Sequence, residues 1–319
     1  MILTIKIKHN ENFDSELSKA FQIAQFSIRN KGVITSKAVA HYGLKSMISN
    51  QILRKYGRNK KCKNVKSVNL CIPNQGIKYL KETKTIYIAC LKKYIDFSDC
   101  RYKFQKINQI EINKQYYYIS IEIEPNKEIE TQNIMGIDLN ATGHTVVGVI
   151  SNINRVIKLG KKESHIRKKY KDIRKKLQKK QKYNHLKKIK NREKNIVKDI
   201  NHKCSRHVVN EAKKYQCEIK LENLTNIRKN TNKKNTYQKQ SRGIVNSWSF
   251  YQFQNFLKYK ALLAGIRISY VDPHNTSSHC SKCGLEGIRD KKSFKCPNCG
   301  HVDHADVNAA YNIIKVNCI

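Results

Sequence analysis

Three acidic residues and four cysteines carry the chemistry that this chain's sequence makes legible. Asp138 lies in Met135-Gly136-Ile137-Asp138-Leu139-Asn140, Glu222 in Ile219-Lys220-Leu221-Glu222-Asn223-Leu224, and Asp306 in His304-Ala305-Asp306-Val307-Asn308. Each adjoins an apolar run, so carboxylates from three separate segments can meet. Together they would repel one another unless cations sat among them. Carboxylate oxygens suit magnesium or manganese, and two such ions roughly 4 Å apart activate water for in-line attack on a phosphodiester. Asp306 also opens a helical pattern, where the positive end of the helix dipole favours an anion. Asn308 is spaced to orient a carboxylate or ligate metal, and His144 and His304 are candidate proton carriers. Trp248 reads as a core anchor.

The cysteine pattern is the more specific one. Cys280-x-x-Cys283 and Cys296-x-x-Cys299 are separated by residues 284–295, which matches four thiolates around one tetrahedral zinc. All four coordination positions are then filled by protein, so the zinc is expected to be structural. Gly284 and Gly300 each follow a second cysteine, where a small residue is expected to relieve crowding. His279 and His301 are adjacent but not needed as ligands. The other seven cysteines (Cys62, Cys71, Cys90, Cys100, Cys204, Cys217, Cys318) are scattered and are assigned to packing.

The remainder of the chain identifies a partner. Its 319 residues carry 64 Lys plus Arg against 24 Asp plus Glu, a formal net charge of +40. That excess calls for a polyanion, because each phosphate neutralised releases condensed counterions. No apolar run approaches the roughly 18 residues of a membrane span. Met1 to Lys8 alternates apolar and polar residues, the pattern of a strand and not of a signal peptide. The expected setting is cytoplasmic and nucleic-acid associated, with no membrane partner. Basic charge, three convergent acids and a zinc knuckle together read as a nuclease.

The elements that must position these residues fall into two regions. In residues 1–130 a first strand is followed by helical spacing over 13–29 and 38–55, then by alternating patterns at 68–72, 85–91 and 116–123. A strand, inserted helices (about 10–66) and further strands predict a small β-barrel with a nucleic-acid recognition role. The polar stretch 126–133 marks a boundary. Residues 131–319 begin with two strands around a turn at 140–143. Residues 161–215, rich in Lys and Arg, predict two long helices with a turn near 183–185, a basic arm suited to a phosphate backbone. Cys217 to Leu221 reads as a strand ending at Glu222, and 226–242 as a polar loop. An amphipathic helix over 249–263, a strand over 266–271, a zinc segment at about 276–302 and a closing helix over 306–316 complete the order.

Taken in order, Gly136-Ile137-Asp138, Leu221-Glu222-Asn223-Leu224, Asp272-Pro273-His274-Asn275-Thr276-Ser277, Cys280-Ser281-Lys282-Cys283-Gly284, Cys296-Pro297-Asn298-Cys299-Gly300 and Asp306-Val307-Asn308-Ala309-Ala310 resemble the TnpB (OrfB) family encoded by insertion sequences. Asn201 to Arg206 and Ser247 to Phe250 also fit, and the resemblance covers roughly residues 134–316. It implies an α/β RNase H-like (RuvC) nuclease domain with an inserted four-cysteine zinc ribbon, preceded here by the small barrel with inserted helices. It implies that Asp138, Glu222 and Asp306 are catalytic and hold the magnesium or manganese. It further implies a transposon-encoded, RNA-guided DNA endonuclease, related to the ancestors of type V CRISPR effectors, with a guide RNA from the transposon end and double-stranded target DNA as partners. A transposase or recombinase, or an RNA-guided repressor that does not cut, are the alternatives. Two motifs depart from the family pattern: Asn140 stands where a Gly is common, and His304-Ala305-Asp306 stands where Asp-Arg-Asp is common. Neither removes a metal ligand that the resemblance implies.

Overall fold

A computed structural model describes the chain apart from Ile34, Lys60, Pro125, residues 234–238 and Ile319. The chain divides into two compact units, Met1–Glu124 and Pro125–Ile319. The division falls at the N-terminal edge of the polar stretch, because that stretch is tied to the second unit. There, the Ile129 amide donates to the Gly265 carbonyl at 2.8 Å and the Gln132 amide to the Gln216 carbonyl at 2.9 Å.

The first unit runs β1 (Ile2–Lys8), α1 (Asp14–Arg29), a 3-10 turn (Ser36–Tyr42), α2 (Ser46–Gly57), β2 (Leu70–Pro73), β3 (Ile77–Leu80), β4 (Thr85–Ile88), β5 (Lys93–Asp96), β6 (Lys106–Ile112) and β7 (Tyr116–Glu122). The helical pair follows the first strand, as the pattern predicts. The strands pair as two antiparallel sheets, β1-β7-β6-β2 and β3-β4-β5. The strand expected over 85–91 ends at Ile88, and a turn through Lys92, at a left-handed φ of 51°, leads into a further strand, β5. Ile110, Ile112, Ile119 and Ile121 are buried at alternate positions, the period of a sheet with one face against the core.

The second unit runs β8 (Asn133–Leu139), β9 (Val146–Ile150), β10 (Arg155–Leu159), α3 (Lys161–Lys179), α4 (Tyr183–Ile189), α5 (Arg192–Lys214), β11 (Cys217–Glu222), α6 (Ile227–Lys233), α7 (Lys239–Ser247), α8 (Phe250–Ala264), β12 (Ile268–Val271), β13 (Ile288–Asp290), β14 (Ser293–Lys295), β15 (Val302–His304) and α9 (Ala305–Lys315). The two long helices expected over 161–215 are three, broken first at Gln181, whose φ is 52°. The loop expected over 226–242 lies in part outside the described residues; on either side of them it is α6 and α7. β10-β9-β8-β11-β12 form one mixed sheet, with β8, β9 and β10 antiparallel and β11 parallel to both β8 and β12. Met135, Ile137, Ile219 and Leu221 join one core with Val208 and Val209 of α5 and Phe253 and Leu257 of α8. Trp248 belongs to this core, 4% exposed. Val147, Val149, Val307 and Ala310 form a second core on the opposite face, under α9. Among the described residues no helix is long and apolar enough to cross a membrane.

Candidate active site and zinc centre

Strand alternation decides where the acids point. Met135 and Ile137 of β8, and Ile219 and Leu221 of β11, face the α5–α8 core. The residues between them therefore face α9. Those are Gly136 and Asp138 on β8, and Lys220 and Glu222 on β11. β8 and β11 are parallel, with Ile137 opposite Leu221, so Asp138 and Glu222 come level with each other one strand spacing apart, roughly 4.8 Å. Asp306 lies in the first turn of α9, which rests on this same face. Gly136 allows that contact. A Cβ there would run into the backbone carbonyl of Ala310 and come within 2.7 Å of Ile314 Cγ1. Lys220 fixes the other end of the helix, with Nζ donating to the carbonyls of Ile314 at 3.1 Å and Val316 at 3.3 Å.

The three carboxylates are buried: Asp138 is 5% exposed, Glu222 9% and Asp306 0%. Burial, followed by the charges of Glu222 and Asp306, pushes the Asp138 carboxyl up to about 7; the Asn140 amide, donating to Asp138 Oδ2 at 2.8 Å, acts against this. Burial likewise raises Glu222, opposed by a hydrogen bond from the Thr276 hydroxyl and by the Arg289 guanidinium. Asp306 is paired with two cations, Arg289 Nη2 to Oδ1 at 3.0 Å and Lys292 Nζ to Oδ2 at 2.6 Å. The acids thus converge and repel, the condition in which divalent cations are favoured. Oxygen donors of this kind fit magnesium or manganese.

The zinc knuckle is assembled more tightly. Among the described residues, Cys280, Cys283, Cys296 and Cys299 are the group of metal-ligating side chains gathered closely enough to hold an ion as they stand, all four Sγ atoms lying within 4.8 Å of one another. Cys280 and Cys299 Sγ are 3.6 Å apart, as are Cys283 and Cys296 Sγ. A zinc with Zn–S bonds of about 2.3 Å requires tetrahedral edges of roughly 3.8 Å, so the set fits the ion. Gly284 and Gly300 hold the turns, though not by relieving crowding. A Cβ at either would meet nothing within 4 Å, whereas their φ values are 79° and 70°, a left-handed backbone that glycine adopts at little cost. Three ribbon strands, β13-β14-β15, pair in order, and β15 runs directly into α9.

Several expected roles shift. Asn308 is fully buried, but both ends of its amide serve the ribbon: Oδ1 accepts from the Ser281 amide at 2.8 Å and Nδ2 donates to the His279 carbonyl at 2.7 Å. It ties α9 to the first knuckle and does not face a carboxylate. His304 caps α9, Nδ1 accepting from the Asp306 amide at 3.3 Å. Burial followed by Lys161 and Lys158 lowers the pKa of His144, and His304 and Asp306 lie near enough to act on it as well. Cys71, Cys204 and Cys217 are buried as packing residues, but Cys318 is exposed. Arg289 and Lys292 are site residues with no distinguishing signal in a chain so rich in cations. Glu163 was likewise hidden. It is 0% exposed and accepts from Thr145 Oγ1 at 2.9 Å and Ser249 Oγ at 2.6 Å, beside Arg167, and so joins α3, α8 and the segment leading into β9.

The chain is similar to known proteins. The family described as Cas12f1-like, TNB domain, matches residues 250–313. TnpB-like protein MJ0751 of Methanocaldococcus jannaschii is 34% identical over 221 residues, covering 66% of this chain and 78% of that protein. CRISPR-associated endodeoxyribonuclease Cas12f1 of Sulfoacidibacillus thermotolerans is 33% identical over 221 residues, but this chain covers only 50% of its length. TnpB-like protein aq_aa05 of Aquifex aeolicus is 27% identical over 218 residues, 69% of that protein. A chain in the cryo-EM structure of the Cas12f1-sgRNA-target DNA complex superimposes with a TM-score of 0.60 at 17% identity, over 96% of this chain and 82% of that one, which shows a shared fold.

Proposed function

The chain belongs to the TnpB-like family, and from that premise we propose that it is an RNA-guided DNA endonuclease with Asp138, Glu222 and Asp306 as its catalytic residues. The observation that carries the reading is the convergence of three buried carboxylates from β8, β11 and α9, close enough that two of them raise the pKa of the third. Burial without enough compensating charge is costly for a structural role; it is the arrangement expected of a metal-ion nuclease. A four-cysteine ribbon anchored to α9 supports the same reading, since it steadies the helix that presents Asp306.

The three acids would hold magnesium or manganese, which when bound supplies an activated water and neutralises charge on the scissile phosphate. The protein's own contribution is placement. β8 and β11 hold Asp138 and Glu222 level, Thr276 fixes the Glu222 carboxylate, and Asn140 fixes that of Asp138. Asp138, whose carboxyl is pushed up to about 7 by burial and by the charges of Glu222 and Asp306, would hold the ion in its carboxylate form. Arg289, on the ribbon beside all three acids, is positioned to meet a phosphate. The first unit, which we read as barrel-like, and the basic helices α3, α4 and α5 would carry guide RNA and double-stranded DNA, the guide being drawn from the end of the transposon that encodes the chain. The name of the relative from Sulfoacidibacillus thermotolerans, an endodeoxyribonuclease, supports DNA as the substrate.

Sequencing the RNA that copurifies from cells carrying the native locus tests the guided part of this reading. A discrete RNA mapping beside the gene is expected. Heterogeneous RNA, or none, would move the assignment to a recombinase acting directly on DNA.

A further inference from the structure

The two cations on Asp306 come from one ribbon hairpin, that of β13 and β14, and they are held differently. Arg289 meets Oδ1 from the middle of β13. Lys292 reaches further in. Its Nζ lies 2.6 Å from Asp306 Oδ2 and 3.1 Å from Asn140 Oδ1, and the Asn140 amide in turn donates to Asp138 Oδ2 at 2.8 Å. One ammonium group therefore links the first and third acids through Asn140, the residue that stands where a side-chain-free glycine is common in the resembling family. The Lys292 carbonyl accepts from the Ala305 amide at 2.9 Å, which pins the turn to the start of α9. Gly143, at a φ of 72°, leaves room for the lysine stem; a Cβ there would sit 3.4 Å from Lys292 Cε.

We propose that Lys292 is an internal placeholder for divalent metal, its ammonium occupying the Asp306 carboxylate in the metal-free protein and withdrawing when the ion binds. The inference rests on the reading of Asp138, Glu222 and Asp306 as the metal site. Asp306 is wholly buried, and a buried carboxylate without a partner is costly. Lys292, on the oxygen that Arg289 does not meet, offsets part of that cost. An ammonium hydrogen-bonded to Oδ2 takes an oxygen that Asp306 would offer a metal, and its charge would oppose a divalent ion there. The lysine can leave cheaply: its side chain is 36% exposed, on a flexible stem at a hairpin turn. Asn140 makes the clasp specific, since a glycine at that position offers no side-chain oxygen. Metal occupancy is thereby set by competition within the chain as well as by the three acids.

Manganese binding to the full-length protein, followed by electron paramagnetic resonance, tests this without reference to cleavage. The Lys292→Met variant is expected to half-saturate at roughly tenfold lower manganese, a charge-assisted hydrogen bond discounted for its partial exposure. Affinity equal to or weaker than the parent's overturns the proposal. A second measurement needs no variant. Acetylation of Lys292 by an amine-reactive ester, read by mass spectrometry, should rise several-fold when saturating magnesium is added; an unchanged or reduced rate overturns the proposal even if Lys292→Met does not fold. The underlying site reading fails separately. If manganese binding in the parent survives Asp138→Asn and Asp306→Asn together, the three acids are not the metal site.

Discussion

Replacing Gly136 with alanine should damage catalysis more than its chemistry suggests. Gly136 is two residues before Asp138 on β8, on the face that meets α9. Its added methyl would collide with the Ala310 carbonyl, a backbone atom that cannot rotate aside, and would lie 2.7 Å from Ile314 Cγ1. The helix must retreat by about 1 Å to restore contact distance, at a packing cost of about 1–3 kcal/mol. The upper end applies because backbone must move, which for a unit of this size lowers Tm by roughly 6–12 °C. Ala310 is one helical turn from Asp306, so the retreat carries the third acid away from the other two. Misplacing a reacting group by about 1 Å costs on the order of a hundredfold in rate. Gly148→Ala on neighbouring β9 is the control. A Cβ there meets Ile137 Cγ1 at 3.8 Å and the Gly136 carbonyl at 3.9 Å, ordinary contacts, and it should be tolerated. Paired thermal melts and cleavage rates of the two variants decide the matter. A Gly136→Ala protein that melts and cuts like the parent, or a Gly148→Ala protein equally impaired, refutes the packing account.

Three further outcomes follow from the same geometry. Cys283→Ser should lose bound zinc, read by elemental mass spectrometry, and cleavage with it, because the first knuckle is sewn to α9 through Asn308 and Asn312; parent-level cutting without zinc would contradict this. Glu163→Ala should destabilise the second unit by about 3–5 kcal/mol, since it strands the buried Arg167 and two hydroxyls, and a Tm within about 2 °C of the parent's would show the network to be dispensable. Asp138 binds a proton more tightly folded than unfolded, its carboxyl standing at about 7 against an ordinary 3.8. Its contribution to stability is therefore full below about pH 4 and is lost as pH rises through about 7. In magnesium-free buffer the parent's Tm should fall across that window relative to Asp138→Asn; parallel curves would remove Asp138 as the titrating group.

The parts of this site that were legible in sequence are those whose residue types are uncommon in their setting. Four cysteines in two tight pairs leave little choice of geometry, and acids are scarce in a chain of this charge, so Asp138, Glu222 and Asp306 stand out beside apolar runs. Alternation along β8 and β11 also fixes which face each acid takes. Arg289 and Lys292 were not legible, because a lysine or arginine among 64 such residues carries no signal until the ribbon turn folds against α9. Asn308 was read as a possible ligand because its spacing from Asp306 is suggestive, but a buried amide goes to whichever donors and acceptors are left unpaired, and here these belong to the first knuckle. The break at Gln181 escaped the pattern for a related reason: a left-handed residue other than glycine has no compositional mark.

The central claim is that one guided site, built from Asp138, Glu222 and Asp306, cuts DNA. The direct test is cleavage of a DNA duplex matching the copurified RNA, in magnesium, by the parent and by Asp138→Ala, Glu222→Ala and Asp306→Ala, with RNA and target binding measured alongside. The account predicts that the parent cuts the matching duplex, and that each variant binds RNA and target as the parent does but leaves the DNA intact. Cutting by any of the three at the parent's rate, or cutting by the parent that ignores the RNA's sequence, would contradict it.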